Sequence, residues 1–342
     1  MNANTAFLDE AEYLWAGHLQ WAHWLHGASV PPFPAYFSGS PVIYPPIAAL
    51  ADSIGGLATA RILALIFMLG ATTLLWGVID RLFGLRAAFF GCALFAVLGT
   101  TLHLGSFATY DAMAGFLTAL AVWLVTRADD QGEATGRMVA AGAVLALANA
   151  TAYASVLFDP VVVLIALLTA FPKPGGKIAW RRIAVLVTVL VTLLLAGLLI
   201  GGNSYLHGIE QTEFTRAPGA ASPGTVLTDF WSWVGLITIL AVGGIFASWA
   251  SRQERVQTWL LVVVTVAAIL GPLEQARLRT ETSLDKHVGL GAWFAAIAAG
   301  YAVDRFIAAA HGERKTRNFV LGACVLALAF PVALGASQSW SF

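Results

Sequence analysis

The sequence has few charged residues, almost no cysteine and no nucleotide-binding fingerprint. Charged residues make up 11% of the chain, about half the share of an ordinary soluble domain, which excludes that class. Both cysteines, Cys92 and Cys324, lie in apolar runs, so neither a disulfide framework nor a zinc site is indicated. The net charge is zero and no basic tract occurs, so we expect no nucleic-acid partner.

Long apolar runs are the main feature that is present, and most are close to the length that crosses a hydrocarbon core. The runs are continuous rather than alternating, which favours helices over barrel strands. We therefore predict an all-α polytopic membrane protein, with an extracytoplasmic segment at 1–56 and a transmembrane domain at 57–342. The predicted spans, about ten, are 57–79, 87–104, 111–126, 138–156, 159–171, 183–204, 230–250, 257–273, 288–304 and 318–336.

The loops between these spans alternate in charge. One set, at 80–86, 127–137, 172–182, 251–256 and 305–317, holds 14 of the 19 basic residues. The positive-inside rule places this set in the cytoplasm and the other set outside. Three of the five remaining basic residues lie close together between 274 and 287. Such a cluster on the outer side indicates either a solvated loop or an anion site, formed by Arg277, Arg279 and Lys286 with the adjacent His287.

An acidic group, Asp9, Glu10 and Glu12, lies ahead of the first span. Segment 9–27 around it favours a helix and is rich in tryptophan, which is typical of a helix at the membrane interface. Its histidines lack the i, i+4 spacing of a zinc-binding helix, so we predict interface residues rather than metal ligands for His18, His23 and His26.

The next segment contains six prolines between 31 and 46, which forbid a regular helix. We predict a fixed loop, then a short helix at 47–54 that Gly55-Gly56 separate from the first span. Arg61 follows about one turn inside that span. An arginine at this depth either extends to the headgroups or has a partner, such as a carboxylate or a lipid phosphate.

Asp111 lies at the outer end of a predicted helix, beside Tyr110. An aspartate at this position stabilises the helix by capping its N-terminus. Capping and catalysis both require the carboxylate at the outer rim, so both interpretations stay open. Asp159, before Pro160, is a weaker candidate because Asp-Pro is common at helix starts.

These motifs, in this order, resemble the GT-C superfamily of polytopic glycosyltransferases, which use a polyprenyl-phosphate sugar donor. The superfamily includes the protein O-mannosyltransferases and the aminoarabinose transferases of lipid A. The resemblance covers about the first 130 residues, whereas the second half agrees only in character. It is carried by Asp9-Glu10-x-x-Tyr13, by Tyr44-Pro45-Pro46 followed by Gly55-Gly56 and Arg61, and by Tyr110-Asp111.

The resemblance implies a sugar transfer with inversion, on the outer face of the cell membrane, to a hydroxyl of a glycan, lipid or protein acceptor. It implies Asp9 as the general base, with Glu10 and Asp111 supporting it. Phosphate-binding roles fall to Arg61, Arg277, Arg279, Lys286 and His287, and substrate-binding roles to Tyr13, Tyr44 and Tyr110. We expect no cofactor and no divalent metal, since no metal motif is evident.

Two other classes remain open from the sequence. A secondary transporter fits the helix number, but its spans usually carry polar residues at mid-membrane, whereas polar residues here gather at one side. A different lipid-modifying enzyme shares the location. Residues 1–56 lie on the predicted outer side without a preceding apolar segment. Either this segment crosses the membrane unaided or a further helix precedes it. We expect the second, a transmembrane helix encoded upstream and ending just before Asn4.

Overall fold

The structure is a computed structural model that describes residues 6–128, 133–170, 176–251 and 255–309, with isolated positions at 322, 332 and 333. These residues form helices and connecting turns, and no strand occurs among them. The α-helices are α1 (Leu8–His26), α2 (Tyr44–Phe83), α3 (Leu85–Ala96), α4 (Gly99–Ser106), α5 (Tyr110–Thr126), α6 (Ala134–Thr151), α7 (Asp159–Ala170), α8 (Gly176–Ile209), α9 (Pro223–Ala250), α10 (Arg255–Leu278) and α11 (Leu284–Ala309).

The polytopic helical fold predicted from the apolar runs is confirmed, although the number of spans is smaller within the described residues. Six helices there are long and apolar enough to cross a membrane. A seventh span results if α3 and α4, which meet at 68°, count as one bent span. The predicted tenth span, 318–336, lies outside the continuously described residues.

The difference in number has local causes. The predicted span 111–126 is α5, which is short, with 17 residues. The predicted span 138–156 ends early, because α6 stops at Thr151 and a 3-10 turn, Tyr153–Phe158, leads directly into α7. A short connection joins the spans at 138–156 and 159–171, but α6 packs mainly against α5 and α8, and α7 against α5, α8 and α10. The two spans therefore do not form with each other the tight hairpin that their lengths suggested.

Two glycines interrupt α2 where the sequence predicted a break. Gly55 and Gly56 have non-helical backbone angles, and Gly56 has φ 70° and ψ −167°. This left-handed φ favours glycine because it has no Cβ to clash. The break separates a short first part, which begins at Tyr44-Pro45-Pro46, from the long apolar part that carries Arg61.

The helix at the centre of the bundle is α11. In its most apolar stretch 78% of the residues are buried, against 11% in α8, so α11 is enclosed while α8 faces the surroundings. Small residues permit this close packing. A Cβ on Gly300 would lie 2.4 Å from the carbonyl oxygen of Ala87, and one on Gly291 would lie 2.9 Å from that of Ala268.

The two ends of the bundle differ in their polar groups. At one end Arg86 and Arg305 both pair with Asp304, at 2.7 Å each. At the other end lie α1 and the first residues of α5 and α11. We call this second end the site face, because the charged side chains described below lie there.

Candidate functional site

The first turn of α1 is fixed on the site face by close contact between α1 and α2. A Cβ on Gly17 would lie only 2.0 Å from the carbonyl oxygen of Pro45, so only glycine permits this approach. The indole nitrogen of Trp21 also donates to the carbonyl of Pro46 at 2.9 Å. These contacts determine where Asp9 and Glu10, eight and seven residues before Gly17, enter the bundle.

Glu10 is fully buried and forms a two-pronged ion pair with Arg61. The Arg61 Nε and Nη2 donate to the two carboxylate oxygens at 2.9 and 2.8 Å. The backbone N–H groups of Ala108 and Phe7 donate to the same oxygens at 2.8 and 2.9 Å. The carboxylate therefore joins three segments: the start of α1, the span part of α2 and the turn before α5.

The charge of Glu10 is stable in this environment. Burial alone raises the pKa of a carboxyl group, but donation from Arg61, Ala108 and Phe7 outweighs it and leaves the pKa of Glu10 lowered. Arg61 is thus committed to Glu10, which is the carboxylate partner that the sequence left as one alternative. Its part in phosphate binding, predicted from the resemblance, stays a prediction.

Asp9, one residue earlier, belongs to a different cluster. The Lys286 ammonium on α11 donates to Asp9, and it lies 3.6 Å from the Oδ2 of Asp111 on α5. The exposed fraction of the side chain is 28% for Asp9 but 3% for Asp111 and 5% for Lys286. The site therefore has one carboxylate that solvent reaches, one that is enclosed, and a buried cation between them.

The Asp111 carboxylate has one oxygen without a hydrogen bond in this arrangement of the described residues. Its Oδ2 is buried without a hydrogen-bond partner among the described residues, although Lys286 lies near it. Its position in the first turn of α5 also suits a favourable interaction with the helix dipole. The N-cap residue of α5 is Thr109 and no side-chain hydrogen bond caps the helix, so Asp111 does not act as the expected cap and only the dipole interaction accompanies the catalytic interpretation.

The three predicted tyrosines line the same region. The rings of Tyr13 and Tyr110 lie 4.7 Å apart between centroids, and those of Tyr13 and Tyr44 lie 6.2 Å apart, edge to face. Burial raises the pKa of Tyr13 well above its usual range, and nearby Tyr110 and the two aspartates raise it further. The hydroxyl of Tyr44 is buried and has no hydrogen-bond partner among the described residues.

Two of the remaining predicted cations, Arg277 and Arg279, are exposed, whereas His287 lies between α10 and α11. Arg277 is exposed and pairs with Glu274 within α10. Arg279 is exposed beyond the end of α10 and has φ 52°. His287, next to Lys286, approaches the side-chain amide of Gln275. Of the predicted cluster, Lys286 is therefore the residue that the structure brings to Asp9 and Asp111.

Known proteins share the fold of this chain. Residues 40–200 match the model of the family described as dolichyl-phosphate-mannose-protein mannosyltransferase. ArnT from Cupriavidus metallidurans, in a crystal structure bound to undecaprenyl phosphate, superposes with a TM-score of 0.66 at 17% identity, over 94% of this chain and 59% of that chain. The chain has the GT-C fold. The resemblance inferred from the sequence motifs is thereby confirmed.

A second GT-C structure supports the assignment. AglB from Archaeoglobus fulgidus, in complex with an inhibitory peptide and a dolichol-phosphate, superposes with a TM-score of 0.58 at 15% identity. That match covers 96% of this chain and 52% of that chain. The chain thus spans 59% and 52% of the lengths of these two structures. A search of curated proteins found no match.

The sequence did not single out one further polar pair on the site face of the GT-C fold. His103 on α4 and Asp285 on α11 lie 2.8 Å apart, and both side chains are largely buried. Asp285 precedes Lys286, so the pair lies directly beside the Asp9 cluster. A histidine within an apolar run was the available signal, since polar residues in spans are costly and often functional.

The described part of the chain contains no group of three or more histidine, cysteine, aspartate or glutamate side chains that could hold a metal ion. His18 pairs with Asp52 at 2.8 Å instead. The expectation that this GT-C protein needs no divalent metal stays a prediction.

Proposed function

We propose that this protein is a membrane glycosyltransferase that transfers a sugar from a polyprenyl-phosphate donor to an acceptor hydroxyl, with inversion. The observation that carries the proposal is the placement of Lys286 between Asp9 and Asp111 on one face of the GT-C fold. A base and a cation side by side suit a reaction in which a hydroxyl loses a proton while a phosphate leaves.

Asp9 is the proposed general base. It is the carboxylate of the cluster that solvent reaches, whereas Glu10 is enclosed and fully hydrogen-bonded. The acceptor oxygen attacks the anomeric carbon and its proton passes to Asp9. The bond from that carbon to the phosphate oxygen breaks, and the lipid phosphate leaves with the electron pair.

Lys286 is the proposed cation for the departing phosphate. An ammonium group has three N–H donors. One is donated to Asp9, while the Asp111 Oδ2 lies 3.6 Å away and has no hydrogen bond within the described residues, so donors remain for a phosphate oxygen. Positive charge near the leaving oxygen stabilises the transition state, most strongly where water is excluded. Asp111 then balances the buried charge of Lys286, which otherwise is costly to enclose.

The face of the membrane follows from the charge of the loops. The loops at the opposite end of the bundle carry most of the basic residues, as the positive-inside rule expects for the cytoplasm. The GT-C fold of the multi-pass chain supports a lipid-linked donor, and ArnT and AglB have been solved with such phosphates bound. We therefore propose an extracytoplasmic site in the plasma membrane.

Lipid binding provides the test. The protein in nanodiscs is titrated with undecaprenyl phosphate and, separately, with undecaprenol. The phosphate should bind at least tenfold more tightly, because it adds charge-assisted contacts of about 1.5–3 kcal/mol. Equal binding of the alcohol would overturn the phosphate site. Transfer from labelled polyprenyl-phosphate sugars, with the anomeric configuration of the product read by NMR, tests the inversion.

A further inference from the structure

Three consecutive polar residues at the start of α11 each contact a different part of the bundle. The Oδ2 of Asp285 lies 2.8 Å from the Nε2 of His103 on α4. His287 approaches the side-chain amide of Gln275 on α10. Lys286, between them, points to the carboxylates of the proposed active site. With 3.6 residues in a helical turn, consecutive side chains point about 100° apart, so the two neighbours of Lys286 hold α11 from two sides.

The side of α11 that faces α10 is fixed by close approach of the two backbones. A Cβ on Gly271 would lie 3.0 Å from the Cβ and from the carbonyl oxygen of His287. A Cβ on Gly291, one turn further along α11, would lie 2.9 Å from the carbonyl oxygen of Ala268. Glycine therefore sets the spacing of α10 and α11 here, and α11 has no room to move further toward α10.

On the side that faces α4, side chains connect the start of α11 to the rest of the site. The ring of His103 lies against that of Phe107, at 4.6 Å between centroids. The Arg61 guanidinium lies over the same Phe107 ring, 5.7 Å from its centroid. Arg61 in turn pairs with the buried Glu10. A continuous series of contacts therefore runs from the Glu10 anchor through His103 to the residue that precedes Lys286.

The contact with His103 also gives the Asp285 carboxylate a partner of its own. An ionised carboxylate has only acceptors, so the Nε2 of His103 supplies the hydrogen between them. Both side chains are largely buried, with exposed fractions of 8% and 16%. If this donor were removed, a largely buried carboxylate would lie one residue from Lys286. It would then compete with Asp9, and with a phosphate, for the ammonium group.

We propose that His103 is a positioning residue of the transfer reaction, which through Asp285 directs the Lys286 ammonium toward Asp9 and the departing phosphate. This rests on the proposed function. His103 acts through the first turn of α11 and not by touching the substrate. Its contribution is the hydrogen that Nε2 donates, so another side chain with a donor at that place should replace the imidazole. Glutamine, whose amide nitrogen can reach the position of Nε2, is that side chain.

The position of Lys286 is measured without any ligand, from the side-chain Cε signals of ¹³C-labelled lysine in the purified protein. The chain has four lysines, so the Lys286 signal is identified by its loss in Lys286→Met. His103→Leu should shift this signal and His103→Gln should restore it. His18→Leu is the control, because His18 forms a second His–Asp pair at 2.8 Å, with Asp52, that does not involve α11. It should leave the signal in place. Should His103→Leu not fold, His103→Asn replaces it, since the shorter amide does not reach Asp285.

Titration of the same variants with undecaprenyl phosphate tests whether this position matters for the lipid. His103→Leu should weaken binding about three- to tenfold, as for the loss of one hydrogen bond, and His103→Gln should restore most of it. In the Lys286→Met background, His103→Leu should have no further effect, because His103 acts through Lys286.

Three results would each overturn the proposal. They are an unmoved Lys286 signal in His103→Leu, an equal loss of affinity with and without Lys286, and a His103→Gln variant as weak as His103→Leu. The second would show that His103 only stabilises the fold. If the wild type does not bind undecaprenyl phosphate, the proposed function fails, whereas the lysine signals still decide whether His103 positions Lys286.

Discussion

Asp9 and Glu10 are adjacent carboxylates of the same type, yet the fold gives them opposite environments. Glu10 is enclosed and accepts four hydrogen bonds from Arg61, Ala108 and Phe7. Asp9 keeps 28% of its side chain exposed and faces one cation, Lys286. Consecutive helical residues point about 100° apart, so one turn of α1 supplies both an anchor and a reactive group.

The contrast between Asp9 and Glu10 separates a structural role from a chemical one. A carboxylate whose oxygens are all occupied cannot take a proton without losing its partners, so it stabilises the structure. A carboxylate with a free, solvent-reached face can accept a proton from a substrate. The order of the two residues along the sequence does not distinguish these roles, but burial and hydrogen bonding do.

The largest effect on sugar transfer is expected from replacing Asp9, the exposed carboxylate of the pair. Asp9→Asn preserves the shape of the side chain but removes the base. Sugar transfer should fall about 10²–10⁴-fold, the usual contribution of general base catalysis. Undecaprenyl phosphate binding should persist. The measurement is transfer of labelled sugar by purified protein in liposomes.

Glu12→Gln is the control for this change, because Glu12 is exposed on the same helix. It should transfer sugar at the wild-type rate. If Asp9→Asn retains near wild-type transfer, Asp9 is not the base and Asp111 becomes the candidate.

The buried member of the pair should respond in stability rather than in chemistry. Glu10→Gln removes one partner of the buried Glu10–Arg61 ion pair, which costs about 3–5 kcal/mol. SDS unfolding in mixed micelles measures this loss. The double variant Glu10→Gln with Arg61→Met should lose less than the sum of the single changes, because each single change already breaks the same ion pair.

The pH dependence of folding stability tests the anchoring role of Glu10. The pKa of Glu10 is lowered in the folded state from its ordinary value of 4.5. Its contribution is therefore complete above the ordinary value and is lost as the pH falls through the lowered folded-state value. The wild type should lose stability over this acidic window, whereas Glu10→Gln should lack that component. Identical pH profiles for the two proteins would contradict the anchoring role of Glu10.

Much of the fold could be predicted from the sequence, because length and hydropathy determine spans locally. The helix start at Tyr44-Pro45-Pro46 and the break at Gly55-Gly56 are also local properties of backbone chemistry. The number of spans could not be predicted in the same way. The bend between α3 and α4 and the early end of α6 depend on packing between helices rather than on local sequence.

The site was predictable in its residues but not in their pairing. Asp9 was chosen from the acidic motif ahead of the first span, Asp111 from a helix start, and Lys286 from the cations on the outer side; the three side chains do meet. That Arg61 binds Glu10, while His103 binds Asp285, depends on how α1, α2, α4 and α11 pack together. No pattern in one sequence contains that information. The sequence placed Lys286 first in this cluster because it adjoins His287 at the start of a helix, and burial separates Lys286 from the exposed Arg277 and Arg279.

A smaller effect, on the affinity for lipid phosphate, is expected from replacing Lys286, the buried cation of the site. Lys286→Met keeps the length of the side chain and removes its charge. Undecaprenyl phosphate should bind about ten- to a hundredfold more weakly, because one charge-assisted contact of about 1.5–3 kcal/mol is lost. Calorimetric titration in nanodiscs measures this. Unchanged affinity, with a correctly folded protein, would show that Lys286 serves only to hold Asp9 and Asp111.

The smallest effect is expected at Arg277, and it separates the two explanations of the outer cationic cluster. Arg277 is exposed and already paired with Glu274 on its own helix, so solvent screens its charge. Arg277→Gln should therefore change undecaprenyl phosphate affinity by less than about threefold, as is usual for exposed ion pairs. If instead it weakens binding as much as Lys286→Met does, a bound lipid must draw Arg277 away from Glu274. In that case Glu274→Gln, which frees the guanidinium, should strengthen phosphate binding. A screened surface pair predicts that neither change matters, so the two variants together decide whether Arg277 takes part in the site.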